Sequence, residues 1–253
     1  MKENDIILNK FIVLIPFRNA RNYIIDCLNS VIGQVYNNYE IFLLDDASND
    51  GTLNLLDQDI ENVHKIQRLH PIGAMENIYK ALTELTINDE DIVLLLDGDD
   101  YIFGEFAFQI VNSEYNNSKL LTYGNYINNY GKVSNLGSYS KEEYLNLRIA
   151  PWKASHLKTF KYKLFKEFLR QDPDVCHFKI SGSNKFYDST SDIALMLPLI
   201  EIAGYENIVA INNVVYCYRL HSKNDHATES GRSRQLELEM DIRSNQKPLS
   251  QAF

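Results

Sequence analysis

The sequence predicts an α/β fold with a doubly wound, mainly parallel sheet and helices on both faces. From Phe11 to Asp100, apolar runs alternate with segments whose apolar residues recur at helical spacing. Continuous apolar runs are typical of strands covered on both sides, and their alternation with helices favours parallel pairing. After Tyr101 the regularity falls, and segments rich in Tyr, Asn and Gly predict a small antiparallel portion towards the C-terminus.

The first half contains four predicted strands in order. FIVLIPF from Phe11 is a buried strand, ARNYIIDCLNSVIGQ is a helix by its apolar spacing, and EIFLLDD is a second strand ended by the turn sequence ASNDGT. Then follow a short helix from Thr52, a strand near Val63 to Leu69, a helix from Ala74 to Leu85, and the strand DIVLLLDGDD.

The second half is predicted with less regular elements. EFAFQIVNSEYNN is a helix, and LLTYGNYINNYGKVSNLG is a set of strands joined by turns. SDIALMLPLIEIAG is a buried helix with Gly204 beyond its end, and IVAINNVVYCYRL is a hairpin or a pair of strands. We expect one domain over residues 1–221, divided near Tyr101, and a polar arm over 222–253. That arm is either flexible or a surface helix around Gln235 to Ile242.

Composition excludes several classes of protein. The 253 residues carry 34 acids against 25 Lys and Arg, a net charge of −9, so nucleic acid is not an expected partner. With 45% apolar residues the chain has enough material for a core and is not a disordered chain. The longest apolar run, Ile193 to Ile200, is too short to span a membrane and contains Pro198.

The N-terminus and the cysteines predict the compartment. The first residues lack a secretory signal, so we expect a cytoplasmic protein, peripheral to a membrane if the molecule it binds is lipid-linked. Cys27, Cys176 and Cys217 are odd in number and widely spaced, which favours reduced thiols over disulfides or a zinc site.

Acidic residues follow two of the predicted strands. The carboxyl ends of parallel strands form the ligand crevice of an open sheet, so Asp45, Asp46 and the segment Asp97 to Asp100 are candidate site residues. Taken alone, Asp45 and Asp46 could instead form the turn and cap the following helix. Three carboxylates in four residues repel one another, however, and a divalent cation would neutralise the segment Asp97 to Asp100.

Several common phosphate-binding and catalytic motifs do not occur. The sequence has no GxGxxG after the first strand, no GxxxxGK[ST], and no GxSxG nucleophile elbow. A bound phosphate would therefore be held through a metal and separate cationic side chains.

Four segments together resemble one enzyme family. FIVLIPFRNARNYIIDCLNSVIGQVYNNYEIFLLDDASNDGT resembles the opening of the family 2 glycosyltransferases, and IVLLLDGDDYI resembles their Asp-x-Asp segment. SDIALMLPLIEIAG and VVYCYRLH are similar to the Glu-Asp helix and the closing Tyr-Arg-x-His of that family. The order and spacing of the four segments agree with the family as well.

The resemblance implies a GT-A fold and inverting transfer of a sugar from a nucleotide donor, usually a UDP-sugar. It implies that residues at the strand ends bind the nucleotide sugar: Pro16, Phe17, Arg18, Asp46, Asp97 and Gly98, with Arg219 either on the diphosphate or paired with an acid. It also implies a divalent cation on Asp99, with Asp100 as support or alternative ligand. His221 is either a further ligand, as the matching His is in some members of the family, or a surface or structural residue. Because imidazole suits Mn²⁺ better than Mg²⁺, we expect Mn²⁺.

Asp192 matches the position of the catalytic base of this family. An Asp is ionised at neutral pH and could accept the proton of an acceptor hydroxyl, although Asp192 or Ser191 could instead only cap the following helix. Ser191 stands where the family commonly has Glu, which puts an acceptor contact there in doubt.

The acceptor is expected to lie in the region between the metal motif and the base. Trp152 and His156 are candidates to stack on or hydrogen-bond an acceptor sugar, although Trp152 could equally belong to the core. The basic stretch from Pro151 to Phe168 is interpreted as the solvated face of a helix or strand.

The leading prediction is a metal-dependent inverting glycosyltransferase acting on a nucleotide-sugar donor and a glycan or glycoconjugate acceptor. The alternatives are a nucleotidyltransferase that makes a nucleotide sugar, and a domain that binds nucleotide sugars without turnover. A nucleotidyltransferase would need a Gly-rich basic loop after the first strand, and FRNARN provides little of that.

Overall fold

One eight-stranded sheet crosses the molecule, with strand order β3-β2-β1-β4-β7-β6-β8-β5. The computed structural model describes residues 7–57, 59–222, 224, 227–244 and 246–253. The strands are Phe11–Phe17 (β1), Tyr39–Asp45 (β2), Val63–Gln67 (β3), Ile92–Leu95 (β4), Tyr101–Ile102 (β5), Leu121–Asn128 (β6), Lys158–Lys161 (β7) and Ile208–Tyr218 (β8). The helices are Ile24–Ile32 (α1), Ala74–Glu84 (α2), Ala107–Asn116 (α3), Lys141–Leu145 (α4), Tyr162–Gln171 (α5), Ser191–Ala203 (α6) and Glu229–Ser244 (α7).

The first half of the sheet, β3-β2-β1-β4, is parallel as the sequence predicts. Phe11 of β1 is in register with Tyr39 of β2 and with Ile92 of β4. All seven residues of β1 and all four of β4 are buried, because each strand is covered on both faces. The carboxyl ends of β1, β2 and β4 therefore meet at one edge of the sheet.

The second half, β7-β6-β8-β5, mixes parallel and antiparallel pairs. β7 pairs antiparallel with both β4 and β6, and β5 pairs antiparallel with β8, whereas β6 and β8 are parallel. The expected hairpin from Ile208 is wrong, because Ile208–Tyr218 is one continuous strand. It lies along β6 with register shifts near Asn125, so the turn-forming residues Asn212 and Asn213 are accommodated within an irregular pairing.

The basic stretch does not form a solvated face, which corrects the prediction for two of its lysines. Lys158 and Lys161 belong to β7 in the middle of the sheet, and each is only 4% exposed. The Lys161 ammonium donates to Asn9 Oδ1 at 2.8 Å and to the Glu90 carbonyl at 2.6 Å. Long aliphatic stems allow such residues to pack in a sheet while the ammonium reaches polar partners.

Two apolar clusters cover the two faces of the sheet. One contains the buried sides of α2, α5, α6 and α7, and the other contains those of α1 and α3. α6 is buried from Ile193 to Ala203, which agrees with the predicted buried helix. The positions of both clusters confirm helices on both faces.

The C-terminal arm packs against the domain where it is described. Its helix α7 is longer than the predicted helix and buries Leu238 and Ile242. Arg148 links the arm to α6, because its guanidinium makes a two-fold contact with Glu201 (2.6 and 3.0 Å) and donates to the Gln246 carbonyl at 2.7 Å. Glu201 also accepts from Leu249 N at 2.9 Å. The arm is therefore not a flexible tail over these residues.

No helix in the described ranges combines the length and the apolar character needed to cross a bilayer.

Candidate active site

A cavity of about 380 Å³ lies at the carboxyl ends of β1, β2 and β4, and we call it the strand-end cavity. Most of the predicted site residues line it. Its described lining consists of Pro16, Phe17, Arg18, Asn19, Ala20, Tyr23, Asp46, Ala74, Asn77, Asp97, Gly98, Asp99, Ser191, Tyr218, His221, Asn224 and Gln235.

The loop after β1 is tied to the turn after β2. Asn19 N donates to Ser48 Oγ at 2.8 Å, and Asn49 N donates to Asn19 Oδ1 at 2.9 Å. Arg21 N donates to Asp50 Oδ2 at 3.2 Å. Asn19 has a φ of 55°, in the left-handed region that asparagine tolerates better than most residues. The two loops thus form one rigid wall of the cavity, which includes the exposed Arg18.

Asp46 connects this wall to the start of α2. Its Oδ1 accepts from Ile72 N at 2.7 Å and its Oδ2 from Gly73 N at 3.1 Å. Asp46 is 6% exposed and also lines the cavity. Asp45 instead accepts from Ser48 N at 3.1 Å, which is the turn-forming role considered for it. Asp46 therefore shapes the cavity and lines it, whereas Asp45 stabilises the turn.

Gly98 allows the acidic loop after β4 to approach the loop after β1. A Cβ built on Gly98 would lie 2.5 Å from Phe17 Cβ and 3.3 Å from the Pro16 carbonyl oxygen. Gly98 N donates to that same carbonyl at 3.1 Å. Only glycine fits this approach, so the loop can present Asp97 and Asp99 to the cavity.

Asp99 and His221 meet across the cavity. His221 Nε2 lies 2.8 Å from Asp99 Oδ2, and the imidazole stacks on the Tyr23 ring at a centroid distance of 4.9 Å. The Asn224 side chain accepts from His221 N at 2.6 Å. A residue far along the chain is thus held beside the Asp-x-Asp segment.

The donor set of this pair fits a divalent cation. Carboxylate oxygen and imidazole nitrogen are both ligands of Mn²⁺-type ions. Over the described ranges, no three His, Cys, Asp or Glu side chains converge as a complete metal site. Cations of this class usually take one or two protein carboxylates and fill their remaining positions with water and ligand phosphates. Asp99 and His221 would therefore form a partial site that a bound diphosphate completes.

Asp97 and Asp100 flank Asp99 in the acidic loop, and their surroundings raise both of their pKa values. Burial raises the pKa of Asp97, the Lys158 ammonium opposes that rise, and the Asp99 and Asp192 carboxylates add to it. Burial, together with the charges of Asp97 and Asp99, raises the pKa of Asp100 to about 8.

Asp100 lies behind the cavity rather than in it. Its Oδ2 accepts from the Tyr216 hydroxyl at 2.6 Å and its Oδ1 from Arg219 N at 2.7 Å. It is 1% exposed. In this arrangement it supports the acidic loop and is not positioned as an alternative ligand.

Ser191 and Asp192 begin α6 at the edge of the cavity. Ser191 lines the cavity, and the charge of Asp192 acts on Asp97, so the two carboxylates are neighbours. Asp192 lies in the first turn of α6 behind Thr190, which has a φ of 58°. Thr190 is the N-cap residue and makes no side-chain cap hydrogen bond, and Asp192 stands in the first turn of the helix rather than at the cap position.

Arg219 and Trp152 are not among the described residues of the strand-end cavity. Arg219 pairs with Asp26 (Nη1 to Oδ2, 3.3 Å), which matches the alternative in which it pairs with an acid. Its guanidinium also lies over the Tyr23 and Tyr101 rings. Trp152 packs against the core with the Arg243 guanidinium 5.7 Å from its ring centroid. The sequence-based acceptor role for Trp152 therefore lacks a geometric basis.

His156 lines a second cavity of about 460 Å³, which we call the aromatic cavity. The two cavities share Tyr218 and Gln235. The aromatic cavity is lined by Tyr126, Asn128, Lys132, Val133, Ser134, Ser155, His156, Tyr218, Leu220 and Gln235.

Sequence reasoning missed eight of the described lining residues of the strand-end cavity, and four of these, Tyr23, Asn77, Tyr218 and Gln235, have long polar or aromatic side chains. Tyr23 and Asn77 belong to helical segments whose apolar spacing says nothing about a ligand. Gln235 lies on α7, which reaches the cavity only through long-range packing. For Tyr218 a signal existed, because it stands beside Arg219 in the closing motif.

The chain is similar to known glycosyltransferases in sequence and in fold. Over 228 residues the chain is 23% identical to the glycosyltransferase GlyG of Streptococcus pneumoniae, covering 86% of this chain and 73% of GlyG. The structure of S. aureus TarS in complex with UDP-GlcNAc superposes with a TM-score of 0.60 at 20% identity, covering 85% of this chain and 60% of that one. The mannosyltransferase PcManGT of Pyrobaculum calidifontis, in complex with GDP-Man and Mn²⁺, superposes with a TM-score of 0.62 at 17% identity. The match covers 96% of this chain and 68% of that one.

These likenesses confirm the predicted GT-A fold. The chain spans less than two thirds of the TarS structure with UDP-GlcNAc, and 37% of a longer TarS chain. The sequence model of Glycosyl transferase family 2 matches residues 12–188, which include the strand-end loops and the acidic segment. The protein therefore belongs to glycosyltransferase family 2 and is a glycosyltransferase.

Proposed function

We propose that the protein is a metal-dependent inverting glycosyltransferase that moves a sugar from a UDP-sugar to a hydroxyl of a glycan or glycoconjugate. The observation that carries this proposal is the convergence of Asp97, Asp99 and His221 on the strand-end cavity, beside the loops after β1 and β2. The family membership supports the reaction class. The donor complexes of the structurally similar TarS and PcManGT support a nucleotide-sugar ligand.

The nucleoside is proposed to bind against the wall formed by Pro16, Phe17 and Arg18, with Asp46 towards the base. Arg18 is an exposed cation in the lining and can face a phosphate. Asp97 is proposed to accept from the ribose hydroxyls. Gly98 acts here by allowing the close approach of the loops rather than by a side-chain contact.

Asp99 and His221 are proposed to hold the divalent cation, with Mn²⁺ preferred because of the imidazole. When bound, the cation would act as a Lewis acid that stabilises the negative charge of the leaving diphosphate. Without it, the carboxylates of Asp97 and Asp99 would repel the donor.

Asp192 is proposed to be the catalytic base. Its place in the first turn of α6, next to the lining residue Ser191, sets it at the edge of the cavity where an acceptor hydroxyl would attack the anomeric carbon. A carboxylate there would accept the hydroxyl proton. The division near Tyr101 into a donor half and an acceptor half is part of the same proposal.

The proposal is tested by incubating the protein with UDP-glucose, UDP-GlcNAc and GDP-mannose in Mn²⁺ and measuring released nucleoside diphosphate. We expect slow hydrolysis of a UDP-sugar that stops when EDTA is added. Asp99→Ala should abolish it, whereas Asp57→Ala, which replaces an exposed aspartate elsewhere, should leave it unchanged. Absence of release from every donor, or equal release in EDTA, would contradict the proposal.

A further inference from the structure

Two lysines of β7 are equally buried, but their ammonium groups have different surroundings. Lys158 and Lys161 are each 4% exposed. The Lys161 ammonium donates to Asn9 and Glu90, which lie just before β1 and β4. Among the residues that the structure describes, the Lys158 ammonium makes no hydrogen bond and no ion pair. A buried charge without such a partner is costly, so the Lys158 charge must be compensated by opposite charges at longer range.

Lys158 lies beside the carboxyl end of β4, on the face of the sheet covered by α6. It is the first residue of β7, and antiparallel pairing places it opposite Leu95, the last residue of β4. Directly opposite residues of two strands share a face, and Leu95 belongs to the apolar cluster that includes α6. Asp97 comes two residues after Leu95, and Asp192 stands in the first turn of α6. Lys158 is therefore at the end and on the face of the sheet where the acidic loop and α6 begin.

The charge of Lys158 acts on this acidic loop. Burial raises the pKa of Asp97, the Lys158 ammonium is the next largest influence and lowers it, and the Asp99 and Asp192 carboxylates raise it. The same ammonium adds to burial in lowering the pKa of His156. Charges that are buried together are screened much less than exposed ones. Lys158 thus compensates the acidic loop from inside the protein.

The strand-end cavity contains more negative than positive side chains. Its described lining includes the carboxylates Asp46, Asp97 and Asp99. Among the same described residues, Arg18 is the one lysine or arginine, and it is exposed. Arg219, a sequence-based candidate for the diphosphate, pairs with Asp26 instead. A diphosphate entering this cavity meets unfavourable charge, and a cation behind the acidic loop offsets part of it.

We infer that Lys158 is a positioning residue that gives the donor site a fixed positive charge. The inference rests on the proposed function and adds a residue outside the described cavity lining. The ammonium stabilises the carboxylates of the acidic loop before any ligand binds. It attracts the diphosphate of the donor and opposes a divalent cation that arrives alone. Lys158 therefore favours binding of the cation together with the diphosphate over binding of the free cation.

The test measures two affinities of the purified protein separately. Binding of Mn²⁺ alone is followed by the electron paramagnetic resonance signal of the free ion, and binding of UDP in EDTA by saturation-transfer NMR. Lys158→Met removes the charge and retains an unbranched side chain, and Lys158→Gln is a second variant without the charge. Lys158→Arg retains the charge. Lys161→Met is the matched control, because it removes an equally buried ammonium from the same strand at the opposite end of the sheet.

We expect the two affinities to change in opposite directions. In Lys158→Met and Lys158→Gln, Mn²⁺ should bind about three- to tenfold more tightly, and UDP in EDTA about three- to tenfold more weakly, since one nearby charge acts on the two ions with opposite sign. Lys158→Arg and Lys161→Met should leave both affinities within a factor of about two. A lysine with only a structural role would give a different pattern, because a distorted site binds both ligands more weakly.

Three results would overturn the inference. They are weaker Mn²⁺ binding in the two charge-free variants, affinities that do not change in either of them, or the same changes in Lys161→Met. If the wild type does not bind UDP in the presence of Mn²⁺, the proposed function itself has failed. If the wild type binds it and only the Lys158 variants disagree, the donor site stands and the role of Lys158 is wrong.

Discussion

The two halves of the sheet place their site residues by different means. In the parallel half, Asp46 directly follows β2 and Asp97 comes two positions after β4, so the ends of neighbouring strands bring them together. In the mixed half, Asp192 comes from the start of α6 and His221 from the segment after β8. Parallel strands thus position residues through short local motifs, whereas the mixed half depends on packing between distant segments.

The largest effect is expected from replacing the proposed base in the mixed half. Asp192→Asn removes the proposed base from the mixed half and leaves the donor wall intact. We expect kcat for transfer to fall about 10²–10⁴-fold, because general base catalysis contributes that much. Donor affinity, measured by titration calorimetry, should stay within a factor of about two. Loss of donor binding with kcat preserved would reverse the roles assigned to the two halves.

The next effect concerns the anchoring of the C-terminal arm. Arg148→Met leaves the buried Glu201 carboxylate without its charged partner, with only the Leu249 N–H bond among those described above, and removes the donor to the Gln246 carbonyl. We expect the free energy of unfolding in urea to fall by about 3–5 kcal/mol. Arg170→Met breaks an exposed pair with Glu167 and should change it by less than about 1 kcal/mol. Equal effects of the two substitutions would show that the arm is not held through Arg148.

Gly98→Ala tests the contact between the loops of the parallel half. The added methyl group would lie 2.5 Å from Phe17 Cβ, so one loop must move. We expect a loss of stability of about 1–3 kcal/mol, typical of overpacking, and a weaker donor affinity. Gly131→Ala is the control, since a Cβ there meets nothing within 4 Å, although its φ of 81° adds local strain. A Gly98→Ala protein with unchanged donor affinity would show that the close approach is not required.

The smallest effect is a dependence of stability on pH. His156 stays neutral when folded because its pKa is lowered, whereas in the unfolded chain it binds a proton below about pH 6.5. Stability is therefore fully present above that pH and declines as the pH falls towards the folded pKa, by up to about 1.4 kcal/mol per pH unit. Urea unfolding of His156→Phe should show a shallower decline between pH 6.5 and 5, and that of the exposed His70→Phe should match the wild type. An unaltered slope in His156→Phe would refute this assignment.

The sequence predicts the parallel half of the sheet better than the mixed half. β1, β2 and β4 and the lining residues Pro16, Asp46 and Asp99 were predictable, because buried parallel strands appear as apolar runs whose ends carry the polar residues. β7 was not predictable, since Lys158 and Lys161 indicate a solvated face unless the partners of their ammonium groups are known.

The lining of the aromatic cavity could not be predicted from the sequence either. Tyr126, His156 and Tyr218 are far apart in the sequence and come together only through the pairing of β6, β7 and β8. No spacing rule connects them. Trp152, whose apolar indole face suggested a contact with a sugar, packs against the core instead.

Titration of the protein with UDP by calorimetry, in Mn²⁺ and again in EDTA, tests the central claim most directly. We predict binding in Mn²⁺ that weakens at least about tenfold in EDTA, because in the proposed site Asp99 and His221 would hold only part of the coordination sphere and the diphosphate would supply the rest. The Asp99→Ala protein should bind equally weakly under both conditions. Binding of the same strength with and without Mn²⁺ in the wild type would contradict the account.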